Sequence, residues 1–424
     1  MQPAVSTASP SGSDRLLPDA PARVASLDLI RGVAVLGILA INLAGFAGPS
    51  AATLSPNLPT PGSLADEAAF ALNFVLFEGK MRALFSLLFG ASMMLFLERT
   101  EAAGKNGELL QLRRLAWLVL FGALHFFLFW WGDILFIYAV AGVIALMMRE
   151  LAPKTLLTVA LVIFAGWHLS GAALSYPDVA AEEHVRLGIA TPSQLEEQAE
   201  FSRQLADHAA HELAEYRSGF AAQIVAKLSE RPFQLLQSTY LSIGETLPLM
   251  LLGMVLYASG FFTGRWQGWH LKIAAAVGTA AGLAATLTAL AWLWPRHFPP
   301  QAMTAALLYW MAVPHLLMAT GYAALLVLAA PRLARTRLGG RLIAAGRMAF
   351  SNYLGTSVVM TAIFYGWGLG LVGTMGHAAQ LPFLLLGWAL MLAWSKPWLA
   401  HFRQGPLEWL WRSLTEGRKL PIRR

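Results

Sequence analysis

Two residues eight positions apart, His125 and Asp133, carry the strongest chemical signal in this chain. They flank Trp131 and Gly132 within the run GALHFFLFWWGDILFIY, residues 122–138. A turn at Trp131-Gly132 brings the returning segment back along the first, so the imidazole and the carboxylate can meet. A carboxylate that orients an imidazole is the base half of an acyl-transfer constellation. The plainer reading is a histidine bonded to a neighbouring helix and an aspartate capping the next one.

Other ionisable groups interrupt apolar segments, where each is costly and therefore a candidate for function. Ser26-Leu27-Asp28-Leu29-Ile30-Arg31-Gly32 opens the first apolar run. There Ser26 can cap, Asp28 suits the positive helix end, and Arg31 can pair with it or bind an anion such as a phosphate. Asn42 lies eleven residues further, about three turns up. Glu78, Lys80 and Arg82 enter the second run together on its outer side, and Glu78 and Arg82 have i,i+4 spacing. Glu245 has no nearby cation, so Lys80 or Arg82 is its expected partner. His315, beside Pro314, reads as structural, and His168 with the remaining histidines reads as surface or interface. His208 and His211 are spaced i,i+3, but no further cluster supports a metal site. The chain has no cysteine and carries no Walker loop, dinucleotide fingerprint, Gly-x-Ser-x-Gly elbow or HExxH motif.

The elements that position these groups follow from composition. Of 424 residues, 57% are hydrophobic and only 13% charged, too few for the polar shell of a soluble protein of this size. The mean hydropathy is +0.54. The expected class is an all-α, polytopic transmembrane bundle. Ten apolar runs are long enough to cross a bilayer, at about 28–47, 81–98, 113–130, 133–149, 154–175, 239–261, 272–294, 303–330, 343–366 and 379–400. The net charge of +7 does not indicate nucleic acid, because the basic residues fall in short connections between alternate runs. Their bias predicts both termini in the cytoplasm.

The organisation is then a flexible tail over 1–24, a first bundle over 25–175, an extracytoplasmic amphipathic segment over 176–238, a second bundle over 239–400 and a basic tail over 401–424. The first apolar run would serve as an uncleaved signal anchor. The 176–238 segment holds ten acidic and five basic residues, leaving the rest of the chain with a net charge of +12. It reads as helices on the membrane surface or over the outer mouth of the bundle.

The opening string from Ser26 to Asn42 resembles that of the YeiB-like family, catalogued as domain of unknown function 418. So do Phe77–Gly90 with Glu78, Lys80 and Arg82; Gly132-Asp133-Ile134-Leu135 leading to Tyr138; and Gly346–Tyr353 with Asn352. Gly405–Ser413 is similar to the family's end. The resemblance covers nearly the whole chain and implies a multi-pass protein of the bacterial inner membrane. The first run also resembles that of membrane acyltransferases, the acyltransferase-three and heparan glucosaminide N-acetyltransferase groups. Those are taken to move acyl groups from cytoplasmic acyl-CoA to extracytoplasmic glycans. Acyltransferase-three enzymes have a histidine at the end of that run where this chain has Asn42, which leaves His125 as the base.

Two functions are expected from these readings. In the first, acyl-CoA is a co-substrate held near Arg31 and the basic connections, and His125 with Asp133 activates an extracytoplasmic glycan or small-molecule acceptor. Asn42, Lys80 or Arg82 would then stabilise the oxyanion. In the second, Glu78, Asp133, Glu245 and His125 form a proton-coupled transport site. Neither needs a tightly bound cofactor, a metal or nucleic acid. The partners are the lipid bilayer and these small molecules.

Overall fold

The computed structural model describes the chain from Ala20 to Arg424, so most of the expected tail over 1–24 lies outside the described residues. The helices are α1 (Ala20–Ala47), α2 (Leu64–Leu76), α3 (Lys80–Ala102), α4 (Gly107–Leu128), α5 (Leu135–Met147), α6 (Pro153–Leu187), α7 (Pro192–Tyr216) and α8 (Phe220–Glu230). They continue with α9 (Gln234–Ala258), α10 (Gly268–Leu293), α11 (Pro300–Ala305), α12 (Ala312–Leu333), α13 (Arg337–Arg347), α14 (Ala349–Phe364), α15 (His377–His401) and α16 (Pro406–Glu416). Among the described residues no β-strand forms, and only one isolated bridge joins Phe402 to Arg423. The all-helical membrane bundle expected from composition is what the chain builds.

Among the described residues, eight helical segments are long and apolar enough to cross a membrane, and α5 and α14 are two shorter apolar helices. At 1.5 Å per residue, the 13 residues of α5 reach only about 20 Å. The segment Trp130–Ile134 that leads into it is not helical. The run expected at 81–98 is preceded by a helix that composition does not announce. This helix, α2, starts with a Ser63–Asp66 capping box and holds Asp66 and Glu67 in its first turn. Three residues, Phe77 to Gly79, separate α2 from α3, and Gly79 turns the chain at φ 70°. A side chain there would also collide with the His315 ring. Glu78, Lys80 and Arg82 therefore sit at a break about 20 Å along from Ser63, deep in the bundle and not at its outer edge.

Close backbone approach holds the bundle together, as in other membrane helix pairs. A methyl group on Gly90 of α3 would strike the Met250 carbonyl of α9, and one on Gly253 of α9 would strike the Leu87 carbonyl of α3. The basic connections gather at one end, called here the basic end. Lys105 pairs with Glu416 at 2.8 Å, Arg149 pairs with Glu108, and Arg347 donates to the Arg403 carbonyl at 3.0 Å.

At the opposite end, α7 and α8 lie over the helix ends. Helix α6 runs unbroken to Leu187, so part of the segment expected as a surface loop belongs to a spanning helix. Glu212 of α7 accepts from the Ser50 amide and hydroxyl at 2.7 and 2.8 Å. Tyr216 stacks on Tyr365 with ring centroids 4.7 Å apart.

Candidate functional site

Helix α4 ends one turn beyond His125, and the Phe129 and Trp130 amides both bond the His125 carbonyl. The chain then turns through Gly132 and delivers Asp133 to the start of α5. Its Oδ1 accepts from the Phe136 amide at 2.8 Å, a cap for α5, while Oδ2 lies 2.7 Å from His125 Nδ1. Asp133 thus both caps α5 and pairs with the imidazole, one contact by each oxygen. Both side chains are almost fully buried. Because the carboxylate can only accept, Nδ1 carries the proton and Nε2 presents a lone pair. Nε2 is buried with no hydrogen-bond partner. Such an orphan acceptor on an oriented imidazole can take a proton from a hydroxyl or amine placed against it.

Tyr353 of α14 forms the next wall. Its ring lies 5.2 Å from the His125 ring. Its hydroxyl donates to the Gly132 carbonyl and accepts from the Ile134 amide, each at 3.3 Å, so it grips the chain on both sides of Asp133. On the far side of Tyr353 begins a cavity of about 230 Å³. Ile134, Leu135, Tyr138 and Tyr353 form its head, and Phe85, Leu88, Phe89 and Leu118 its apolar middle. Arg31, Arg114, Arg347 and Gln111 line it toward the basic end.

Each arginine is placed by a different device. Arg31 pairs with buried Asp28 at 2.8 Å and also donates to Ser92. The guanidinium of Arg114 lies between the rings of Phe96 and Trp411, 4.1 and 4.6 Å from their centroids. Arg347 ends α13, one residue before α14 begins. Glu408 of α16 caps that junction, accepting from the Phe350 and Ser351 amides at 2.8 and 3.0 Å. Burial pushes its carboxyl above the usual range, against these bonds. An apolar tube with a cationic mouth fits an amphipathic anion.

A second ionic group sits at the α2–α3 break. Arg82 lies 3.5 Å from Glu78 and 3.2 Å from Glu245, the partner that Glu245 required. Lys80 is fully buried and gives its ammonium to the Phe74 carbonyl at 2.5 Å, closing the end of α2. Tyr138 joins this group to the cavity: its hydroxyl meets Ser86 at 2.9 Å and the Arg82 carbonyl at 3.3 Å. Asn42 shares a small cavity with Tyr353, which places it near the head of the tube. Asn352 is not brought to His125. Its amide is taken up by the Ala345 carbonyl, Ser395 and Trp394 at 3.0, 3.1 and 2.7 Å.

Comparison with known proteins decides the family. A family model described as "Protein of unknown function (DUF418)" matches residues 256–418. The uncharacterized protein YeiB of Escherichia coli K12 is 30% identical over 93% of this chain and 96% of its own length. The uncharacterized protein YxaH of Bacillus subtilis 168 is 32% identical over 93% of this chain and 94% of its own. An uncharacterized 39.9 kDa protein from Bacillus acidopullulyticus is 24% identical over similar shares. This chain belongs to the YeiB-like DUF418 family. No solved structure matches it.

This YeiB-like protein also uses residues that the sequence did not single out. Arg114 reads as a topology charge, Arg347 stands only within the string that resembles the family, and Trp411 is distant in sequence, so only the fold assembles the cavity mouth. Lys227 of α8 is buried and donates to the Phe126 and Phe129 carbonyls at 3.2 and 3.3 Å, capping the helix that carries His125. Burial pushes its ammonium down to about 8. His168 is buried as well, with Nδ1 on the Phe164 carbonyl at 2.7 Å and Nε2 unpartnered, so the surface assignment is corrected. Ser26 lies inside α1 and does not cap it, because that helix already begins at Ala20. Among the described residues no group of three or more His, Cys, Asp or Glu side chains could hold a metal.

Proposed function

We propose that this YeiB-like protein is an acyltransferase of the bacterial inner membrane, with ten crossings and both ends in the cytoplasm. The cavity would take acyl-CoA from the basic, cytoplasmic end. The observation that carries this reading is the cavity from Arg31, Arg114 and Arg347 to Tyr353, the side chain in contact with the His125–Asp133 pair. The arginines would meet the phosphates, and the apolar middle would hold the acyl chain and thioester arm. Tyr353 must swing aside for the thioester to reach His125.

In the reaction, His125 Nε2 takes the proton from an acceptor hydroxyl or amine entering from the far side. The acceptor atom bonds to the acyl carbon, and the tetrahedral oxyanion is met by the Asn42 amide. Collapse breaks the carbon–sulfur bond, and the imidazolium returns its proton to the departing thiolate. Asp133 holds the imidazole in the required tautomer throughout. The acceptor is a glycan or other small molecule.

Binding tests this reading first. Acyl-CoA at a hundred times its Kd stabilises a one-site protein by about 2.7 kcal/mol. The melting temperature should therefore rise with acyl-CoA, less with CoA, and not in a variant carrying Arg31→Ala and Arg114→Ala. No shift at millimolar acyl-CoA would exclude the donor.

A second reading, proton-coupled transport, is favoured by the α2–α3 break. Broken helices with charged residues at depth are typical of transporter sites. In that reading the working acids are Glu78 and Glu245, grouped on Arg82 and separate from the His125 pair.

A further inference from the structure

Between α1, α2 and α15 lies a second cavity, of about 290 Å³. It follows α15 from His377 to Trp388, eleven residues or about 16 Å. Its floor is made by small residues, Ala40, Ala44 and Ala69. Its rim carries Leu72 and Leu385, 53% and 59% exposed on helices that face the bilayer. The cavity is therefore open sideways to lipid.

Its two ends differ. Toward Trp388 the lining is apolar. Toward the α15 N-terminus it holds Asn73, His377 and Gln380. The Asn73 amide donates to the Ala40 carbonyl at 3.1 Å, which fixes its orientation and leaves Oδ1 buried without a donor. Behind Asn73 and His377 a small chamber, the size of one water, leads to Glu78. Asp66 bonds the Ala378 amide beside the same end at 2.9 Å. Among the described residues, no lysine or arginine lines this cavity. The polar end is thus short of donors and of positive charge. The unsatisfied Asn73 Oδ1 favours a headgroup that brings N–H donors, and no lining cation offsets the charge of one that brings only a phosphate.

We infer that this groove is a lateral binding site for one chain of an aminophospholipid, with the primary ammonium of its headgroup at Asn73 and the acyl chain running toward Trp388. The site is independent of the acyl-transfer reading, because α1 separates it from the cavity lined by Arg31. Ordinary annular lipid would not distinguish headgroups, whereas this site selects an N–H donor.

The test uses the full chain in nanodiscs of phosphatidylethanolamine, phosphatidylglycerol and phosphatidylcholine in equal parts. One class at a time carries a mid-chain diazirine, and labelled peptides are mapped by mass spectrometry. Phosphatidylethanolamine should label the segments around Leu72–Leu76 and Leu381–Leu385 about fivefold more than either other lipid, the size of one net hydrogen bond. Asn73→Leu should equalise the three classes while keeping the chain label. Ala69→Trp, which fills the floor, should remove the label, and Ala44→Leu does the same from the opposite wall if the first variant does not fold. Equal labelling by all three lipids in the unmodified protein, or preference for phosphatidylglycerol, overturns the proposal. So does an unchanged pattern in a folded filled-groove variant.

Discussion

Replacing Asp133 by asparagine separates its two jobs. The asparagine Oδ1 can still accept from the Phe136 amide, so the α5 cap survives. The group facing His125 Nδ1 changes from a charged acceptor to an amide N–H. Two donors cannot face each other at 2.7 Å, so the imidazole must move its proton to Nε2. The stability loss is the difference between a charge-assisted and a neutral hydrogen bond, about 1–2 kcal/mol. Asp133→Ala is different: it removes the cap and leaves buried donors on both His125 and Phe136. At about 1–3 kcal/mol for each orphan, the cost is roughly 2–6 kcal/mol. Nitrogen-15 NMR of histidine-labelled protein reads the tautomer, and thermal unfolding in one detergent reads the stability order. The Asn variant should place the proton on Nε2 and lose at least about a hundredfold in any reaction needing Nε2 as a base. A variant that keeps the Nδ1–H tautomer, or an Ala variant as stable as the Asn variant, would refute this geometry.

Three further outcomes follow from the same contacts. Gly79→Ala should cost about 2–5 kcal/mol and sharply lower the yield of folded protein, because φ 70° and the His315 ring each oppose a methyl group there. Arg82→Met should cost about 3–5 kcal/mol by leaving Glu78 and Glu245 without their cation; adding Glu78→Gln and Glu245→Gln should recover most of that loss, read as a change in unfolding temperature. Lys227 gives a pH signature. Its folded ammonium titrates near 8 and the unfolded one near 10.5, so between those values the unfolded chain binds more protons and stability rises with pH. The rise should be at most about 3 kcal/mol, and Lys227→Met should flatten it in melting curves recorded from pH 7 to 11.

The class of the molecule was legible because hydrophobic content and charge placement are properties of the whole chain. The His125–Asp133 contact was legible because a tight turn leaves residues eight apart little choice but to meet. The Glu245–Arg82 pair was legible because a buried acid needs a cation. Helix α2 was hidden: at 13 residues it is too short to read as a crossing, and Asp66 and Glu67 make its start look like a loop. Missing α2 moved Glu78, Lys80 and Arg82 to the membrane edge, although the break places them deep inside. The cavity mouth was hidden for another reason. Arg114, Arg347 and Trp411 come from three distant segments, and a sequence gives basic residues near helix ends an adequate role in topology alone. His168 carried no local cue, since burial of a single imidazole depends on which side of α6 faces α9.

Acyl transfer by this protein requires the passage of acyl-CoA past Arg31 to His125. It is tested most directly by release of free CoA thiol from acyl-CoA in proteoliposomes supplied with an envelope extract as acceptor. The chain has no cysteine, so a thiol reagent reads CoA without background from the protein. Protein-dependent thiol release is expected, lowered at least about a hundredfold by His125→Ala, while Arg31→Ala raises the KM for acyl-CoA. Thiol release equal in the His125→Ala variant and the unmodified protein would contradict it.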